Sequence, residues 1–283
     1  NAVQVNEKLR ERLPDIPIVW GGVHPTIRPD ESLQHADMIC VGEGEDAMLE
    51  LVKRLDTGKD WRDIANIGYR DKSANETVVN DKKPLVRDLD ALPFQDYDYK
   101  SHHIVHDHRL QPMTPELMRS YLNNEYLTLA TRGCPYSCTF CFVSTFNDMY
   151  SGEAPMRRRT MDNVITELQE IKSNLPFLNT IKFDDDNFFT YKYKDLEYFS
   201  AQYKEKIGLP LTITGATPQT VRENQIRVLV EGGMAGIRMG IQSGAEKTKE
   251  QYKRGAANKT VQKATRIINE HRKTLTPQYD LII

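Results

Sequence analysis

Three cysteines fall within eight residues of the sequence, as Cys134-x3-Cys138-x2-Cys141 in the stretch RGCPYSCTFC. Three thiolates at that spacing point to ligation of a metal or a cluster. A four-iron cubane is normally held by four cysteines, so three leave one iron without a protein ligand. An open coordination position marks a place where something other than protein binds. A structural zinc site would need a fourth Cys or His in position, usually as pairs of short-spaced ligands. A bacterial ferredoxin run spaces its cysteines by two, two and three and carries Pro after the last; here Pro135 follows the first and the order is three, then two. The fourth cysteine, Cys40 in ADMICVGEGE, follows an apolar strand pattern and reads as a small buried hydrophobe.

The elements that would position such a loop are legible from residue 125 onward. EYLTLATRG is a strand and MDNVITELQEIKS a helix; TIKFDDDNFF is a strand and YKDLEYFSAQYKEKI a helix. LPLTITGATP precedes the helix QTVRENQIRVLVEGG, AGIRMGIQSGAE precedes TVQKATRIINEHRK, and YDLII is a fifth strand. Repeated strand–helix units predict an α/β fold with a partial parallel (β/α) barrel. In such barrels the loops at the carboxyl ends of the strands share one face and form the active site. Here those loops are RGCPYSCTFC, DDDN, TGATP and QSGAE, so four loops converge on one pocket.

Residues 1–70 alternate shorter helices and strands: VNEKLRERL, IPIVWGG, RPDESLQHA, ADMICVGEGE and EDAMLELVKRL. The pattern predicts the second half of a doubly wound domain. Residues 71–124 hold a turn and short hairpin at DKSANETVVNDKKP and then a stretch rich in Pro, Asp and His; they read as a connector. His102, His103, His106 and His108 lie there without metal-site spacing and read as linker residues. The expected organisation is therefore 1–70, 71–124 and 125–283, with the barrel truncated on its C-terminal side and the whole a fragment of a longer protein.

Composition bounds the function. Lys and Arg number 38 against 40 Asp and Glu, a net charge of −2 that leaves no electrostatic footprint for nucleic acid or an anionic membrane. No apolar run is long enough to span a bilayer. Four cysteines are too few for a disulfide scaffold and favour a reducing, cytoplasmic setting. A small or medium-sized organic substrate is the default.

The cysteine spacing, with Phe140 just before the third cysteine and the loop following a first barrel strand, resembles the radical S-adenosylmethionine superfamily over residues 125–283. The resemblance implies a [4Fe–4S] cluster on Cys134, Cys138 and Cys141, with S-adenosylmethionine chelating the open iron. It also implies an electron donor such as flavodoxin or ferredoxin, and a 5'-deoxyadenosyl radical that abstracts hydrogen from substrate. Asp185 and Asp186 in FDDDNFF stand where the family places an acidic motif beside the methionine amino group, although the family's glycine pair is missing. Gln242 and Ser243 in MGIQSGAE match the strand-end motif that contacts the ribose and methionine carboxylate, with Gly240 and Gly244 allowing close approach. Glu246 is read equally as a helix cap, and Arg132 and Arg157 to Arg159 as solvated surface. IVWGGVHPTIRPDESLQHADMICVGEGE is similar to the later half of a cobalamin-binding domain, which makes Gly21 and Gly22 cofactor-binding and leaves His24 outside the cobalt site. The resemblance thus implies a cobalamin-dependent methyltransferase acting on an unactivated carbon. The alternatives are an oxidative cyclase of the anaerobic tetrapyrrole type and, from another class, a non-catalytic iron–sulfur electron-transfer module.

Overall fold

The computed structural model describes residues 2–71, 73–154 and 156–282. The chain opens with α1 (Ala2–Arg12), β1 (Val19–Trp20), α2 (Val23–Ile27), α3 (Pro29–Ser32), β2 (Met38–Cys40), α4 (Glu45–Asp56), β3 (Ile67–Asp71) and β4 (Glu76–Val79). Next come β5 (His103–His106), β6 (Arg109–Pro112), α5 (Pro115–Leu122), β7 (Glu125–Thr128), β8 (Thr131–Arg132), α6 (Phe142–Met149) and β9 (Arg157–Arg158). The remainder is α7 (Met161–Asn174), β10 (Thr180–Phe183), α8 (Tyr193–Lys206), β11 (Leu211–Ala216), α9 (Glu223–Gly232), β12 (Met234–Gln242), α10 (Glu246–Gln251), α11 (Asn258–Glu270) and β13 (Thr276–Leu281).

The chain divides into two compact units, one of Asn1–Arg87 with Cys141–Glu153 and one of Asp88–Phe140 with Ala154–Ile283. In the first unit the sheet order is β1-β2-β3-β4. β1 and β2 pair in parallel, Val19 beside Met38. β2 and β3, joined through α4, pair antiparallel, and the short β3–β4 connection permits only an antiparallel pair. Helix α4 carries Glu45 and Asp46 in its first turn and Lys53 and Arg54 in its last, complementing the helix dipole, and buries Ala47 and Leu51. Its face packs with Met38, Cys40, Ile64 and Ile67, so Cys40 is indeed a core residue, its thiol pushed up by burial and by nearby Glu45. Segment α6 belongs here: Met149 packs against Leu33, Ile39 and Val41.

The second unit is built on a five-stranded parallel sheet, order β13-β12-β11-β10-β7. Ile181 of β10 sits between Tyr126 and Leu211, and Ile237 of β12 between Ile213 and Pro277. Neighbouring strands follow one another in the sequence, and α7, α8, α9 and α11 pack into one core with the sheet. Tyr126, Ile181, Phe183, Leu211, Ile213, Ile237 and Met239 alternate along their strands and pack with Leu168, Phe199, Leu229 and Ile268 of the helices in one core. Helix α7 starts on Thr160, whose hydroxyl accepts from Asn163 N, and α9 stops at Gly233 in the left-handed conformation.

Asp88 to Phe140 lies within this unit. Asp90 accepts from the N–H and hydroxyl of Thr160, the guanidinium of Arg159 lies over Phe94, and Tyr97 meets Tyr126 edge-on. The histidine-rich stretch forms the hairpin β5–β6, turning through Asp107 and His108 with φ of 49° and 60°. No helix is long and apolar enough to cross a membrane among the described residues.

Candidate functional site

Two acidic residues after β10 hold the start of the cysteine loop. Asp185 is buried, and its Oδ1 accepts from Ala130 N at 3.1 Å, Thr131 N at 2.5 Å and the Thr131 hydroxyl at 2.6 Å. Its Oδ2 takes only a 3.2 Å share of the Ala130 N–H. Burial pushes this carboxyl up to about 7, against the pull of Thr131 and Ala130. Asp186 is an exposed residue that accepts from Gly133 N at 3.2 Å, one residue before Cys134; partial desolvation of its carboxyl against the loop, and nearby Asp184, push that carboxyl up as well. The two carboxylates therefore differ in availability. Oδ1 of Asp185 is occupied by the backbone, whereas Asp186 stands open.

The end of neighbouring strand β11 accommodates this arrangement through Gly215, at φ 75°, where a Cβ would stand 2.3 Å from the Asp185 carbonyl oxygen. Only glycine permits that approach.

Asn187 and Arg254 face the cysteine loop. The Asn187 amide donates toward Cys134 Sγ at 3.8 Å, and its buried Oδ1 has no hydrogen-bond partner. Arg254 donates from Nη1 to Cys138 Sγ at 3.4 Å and from Nη2 to the Gly240 carbonyl at 3.0 Å, while its buried Nε is unpartnered. Burial pushes the Cys134 thiol up, and the N–H of Tyr136 and the Asn187 amide pull it back. The far end of the loop is fastened to α10: Thr139 N and Oγ1 donate to the Tyr252 and Gln251 carbonyls, and Phe140 lies edge-on to Tyr252 with ring centres 5.2 Å apart. Cys138 is buried, Cys134 and Cys141 are half-buried, and Cys141 stands at the N-terminus of α6.

Gln242 closes β12 with φ 68°, a left-handed conformation rare for a residue with a side chain, at an irregularity of register between Gly240 and Gln242. Backbone of this kind stores about 1–3 kcal/mol and clusters at ligand-binding positions. The Ser243 hydroxyl accepts from Ala245 N, and the Gly244 carbonyl from Asn258. Glu246 pairs with the buried Lys249, which also donates to the Ala256 carbonyl and Asn258, so this part of the site loop is tied on both sides.

In the first unit Gly21 and Gly22 follow β1. Gly22, at φ 92°, precedes α2 and has nothing within 4 Å of a Cβ position; Gly21 faces only Cys40 Cβ at 3.9 Å. His24 is exposed and near Glu31.

The expectation of solvated arginines holds for Arg158, which is exposed, and needs correction for Arg157 and Arg159. Arg157 is buried, and Arg159 forms an ion pair of 2.6 Å with Glu167, with side chains only 10% and 4% exposed. Tyr126 and Thr128 also donate to Glu167, and this pairing draws Arg159 inward. Arg254 and Asn187 carry no spacing signal of their own. An arginine following the short helix after the QSGAE loop is the one trace the sequence offers.

Among the described residues no three His, Cys, Asp or Glu side chains stand close enough together to hold a metal ion. The donor set nonetheless fits a cluster with an open iron: three thiols outside any disulfide, on one loop, with N–H donors aimed at two of them. Ligand loops commonly close only around their metal.

A parallel α/β sheet with its functional loops at the strand ends and a three-cysteine loop after the first strand defines a class of cluster enzyme. Residues 128–279 match the Radical SAM superfamily, and the chain belongs to it. Residues 1–52 match the B12 binding domain. A [4Fe–4S] cluster and S-adenosylmethionine come with that membership, and cobalamin with the second match.

The chain is 27% identical to the uncharacterized methyltransferase PH0819 of Pyrococcus horikoshii, covering 82% of this chain and 47% of that protein. It is 26% identical to an anaerobic magnesium-protoporphyrin IX monomethyl ester cyclase of Synechocystis sp., covering 93% and 49%. The chain thus spans about half the length of these curated relatives. Its fold is shared with the cobalamin-dependent S-adenosylmethionine radical enzyme OxsB, at TM-score 0.70 and 16% identity over 98% of this chain and 38% of that one. The radical S-adenosylmethionine methyltransferase TsrM from Kitasatospora setae matches at 0.67 and 15%, over 98% and 51%.

Proposed function

We propose that the chain is the catalytic part of a cobalamin-dependent radical S-adenosylmethionine methyltransferase acting on an unactivated carbon. The observation that carries this reading is the cysteine loop, fastened by Asp185 and Asp186 at its start and by α10 at its end, with Asn187 and Arg254 directed at two of its sulfurs. When bound, the cluster supplies the electron that splits S-adenosylmethionine into methionine and a 5'-deoxyadenosyl radical, and cobalamin supplies the methyl group.

The residues of the chain then bind and orient. Cys134, Cys138 and Cys141 hold three irons. Asp186, open where Asp185 is not, accepts from the ammonium of S-adenosylmethionine. Arg254, cationic and with an unpartnered Nε, receives its carboxylate. Gln242 and Ser243 offer amide and hydroxyl groups to the ribose, and Phe140 walls the loop against Tyr252. Asp185 positions the loop without touching ligand. In the N-terminal unit Gly21 and Gly22 leave the end of β1 open to the cobalamin tail. Residues 1–70 are assigned to cobalamin binding, 71–124 to connection and 125–283 to radical generation. Oxidisable thiols suit a reducing cytoplasm and a flavodoxin or ferredoxin as electron donor.

The relatedness to cyclases supports a second reading, oxidative ring formation. Anaerobic assay of the cluster-loaded protein with dithionite and S-adenosylmethionine tests both readings: 5'-deoxyadenosine is expected, and its absence returns the chain to an electron-transfer module. With substrate, a mass gain of one methylene supports methyl transfer; loss of hydrogen, or gain of oxygen, supports the cyclase.

A further inference from the structure

The second unit's sheet has one face packed with helices and another whose strand residues are mostly polar. Residues alternating with the core positions point there: Leu127 on β7, Lys182 on β10, Thr212 on β11 and Arg238 on β12. A Cβ on Gly236 would stand 2.6 Å from Thr212 Oγ1, which places these two positions side by side on that face. Leu127 is 44% exposed, as expected of a surface no helix covers.

Charge on this face is ordered. Lys182 Nζ lies 3.7 Å from Asp184, which also accepts from Thr214. Arg238 donates through Nε alone, to both oxygens of Asp280 at 3.0 Å, and its side chain is 47% exposed. Asp280 thereby fixes the guanidinium plane while the terminal nitrogens Nη1 and Nη2 have no hydrogen-bond partner among the described residues. A guanidinium held by its Nε presents a planar fork matched to a carboxylate or phosphate. Along β12, Arg238 precedes Gly240, the residue that Arg254 holds, by two positions or about 7 Å. It therefore lies deeper along the strand than the loops assigned to S-adenosylmethionine.

We propose that the fork of Arg238, on this helix-free face, binds an anionic oxygen group of the substrate, a carboxylate or a phosphate. The inference rests on the radical-enzyme reading above. It narrows the substrate to a polar, anionic molecule rather than an uncharged apolar one.

Trifluoroacetate serves as the probe, its fluorine line broadening followed on cluster-loaded protein saturated with S-adenosylmethionine, so that Arg254 is engaged. Binding is expected to persist under saturation. It should weaken about tenfold or more in both Arg238→Gln and Arg238→Lys, the latter keeping the charge and removing the fork. Competition by acetate at lower concentration than inorganic phosphate marks a carboxylate substrate and the reverse a phosphorylated one; either supports the proposal. Broadening unchanged in both variants, or abolished by S-adenosylmethionine alone, overturns it. The change that S-adenosylmethionine induces in the cluster's electron paramagnetic spectrum, read on the same samples, separates the two ideas: if it persists, the radical reading stands whatever the probe does.

Discussion

Replacing Asp185 separates geometry from charge at the base of the cysteine loop. Three donors converge on Oδ1, at 3.1, 2.5 and 2.6 Å, and Oδ2 receives only a share of one of them. An asparagine with its carbonyl oxygen in place of Oδ1 keeps every bond and stands in for the protonated carboxyl, so Asp185→Asn should change stability by no more than about 1 kcal/mol near pH 4 and should come out more stable than the parent as pH rises toward about 7. Asp185→Ala leaves three buried donors without an acceptor, each at about 1–3 kcal/mol; partial rehydration of the loop puts the expected loss at about 3–5 kcal/mol. The sign of the pH dependence follows from the raised carboxyl. Its value is about 7 in the folded chain, against about 3.9 in an unfolded one. The contribution is thus fully present below about pH 4 and is lost as pH rises through about 7, at up to about 1.4 kcal/mol per pH unit. Guanidinium unfolding of both variants and the parent from about pH 5 to about pH 8, under reductant, reads all of this. If Asp185→Asn proves as damaging as Asp185→Ala, the negative charge matters and the Oδ1 argument is wrong. If parent and Asp185→Asn show the same slope, Asp185 is ionised when folded and burial does not dominate.

Serine at Cys134, Cys138 or Cys141 should each abolish the brown, air-sensitive chromophore and all cleavage of S-adenosylmethionine, while Cys40→Ser, in the core packed by α4, leaves both intact; visible absorbance and deoxyadenosine yield check this. Arg254→Gln should retain the cluster but weaken S-adenosylmethionine by about tenfold or more, seen in a paramagnetic titration, because a charged partner for a carboxylate contributes about 1.5–3 kcal/mol. Glu167→Ala leaves Arg159 buried without its carboxylate and should cost about 3–5 kcal/mol in unfolding experiments, with Arg159→Met added to it restoring part of the loss.

Much of the architecture was legible because hydrophobic period is a local signal. Each parallel strand of the sheet and each long helix between them falls on a stretch read from alternation, and the strand-end loops follow from that. What escaped depends on partners far apart in the chain. Arg254 finds Cys138 from 116 positions away, and Asp185 finds Thr131 from 54; no spacing rule carries either. Charge suggested that Arg159 is solvated, but a buried carboxylate on α7 reverses that preference. The β5–β6 hairpin was hidden because its turn is made by Asp107 and His108, without the glycine that usually announces positive φ.

The interleaving of the two units bears on how the protein can be taken apart. The chain passes from one to the other after Arg87, after Phe140 and after Glu153, so no single peptide-bond cleavage yields two complete pieces. A nick near Arg87 would leave Phe142–Met149, with Val143 and Met149, on the wrong fragment, and the N-terminal piece would lose part of its core. Limited proteolysis should accordingly give nicked molecules that co-migrate under native conditions. By the same token, swapping the N-terminal module between relatives at a single gene junction would carry only part of what it packs with. A working exchange has to transplant residues 141–153 as well, together with the third cysteine of the loop.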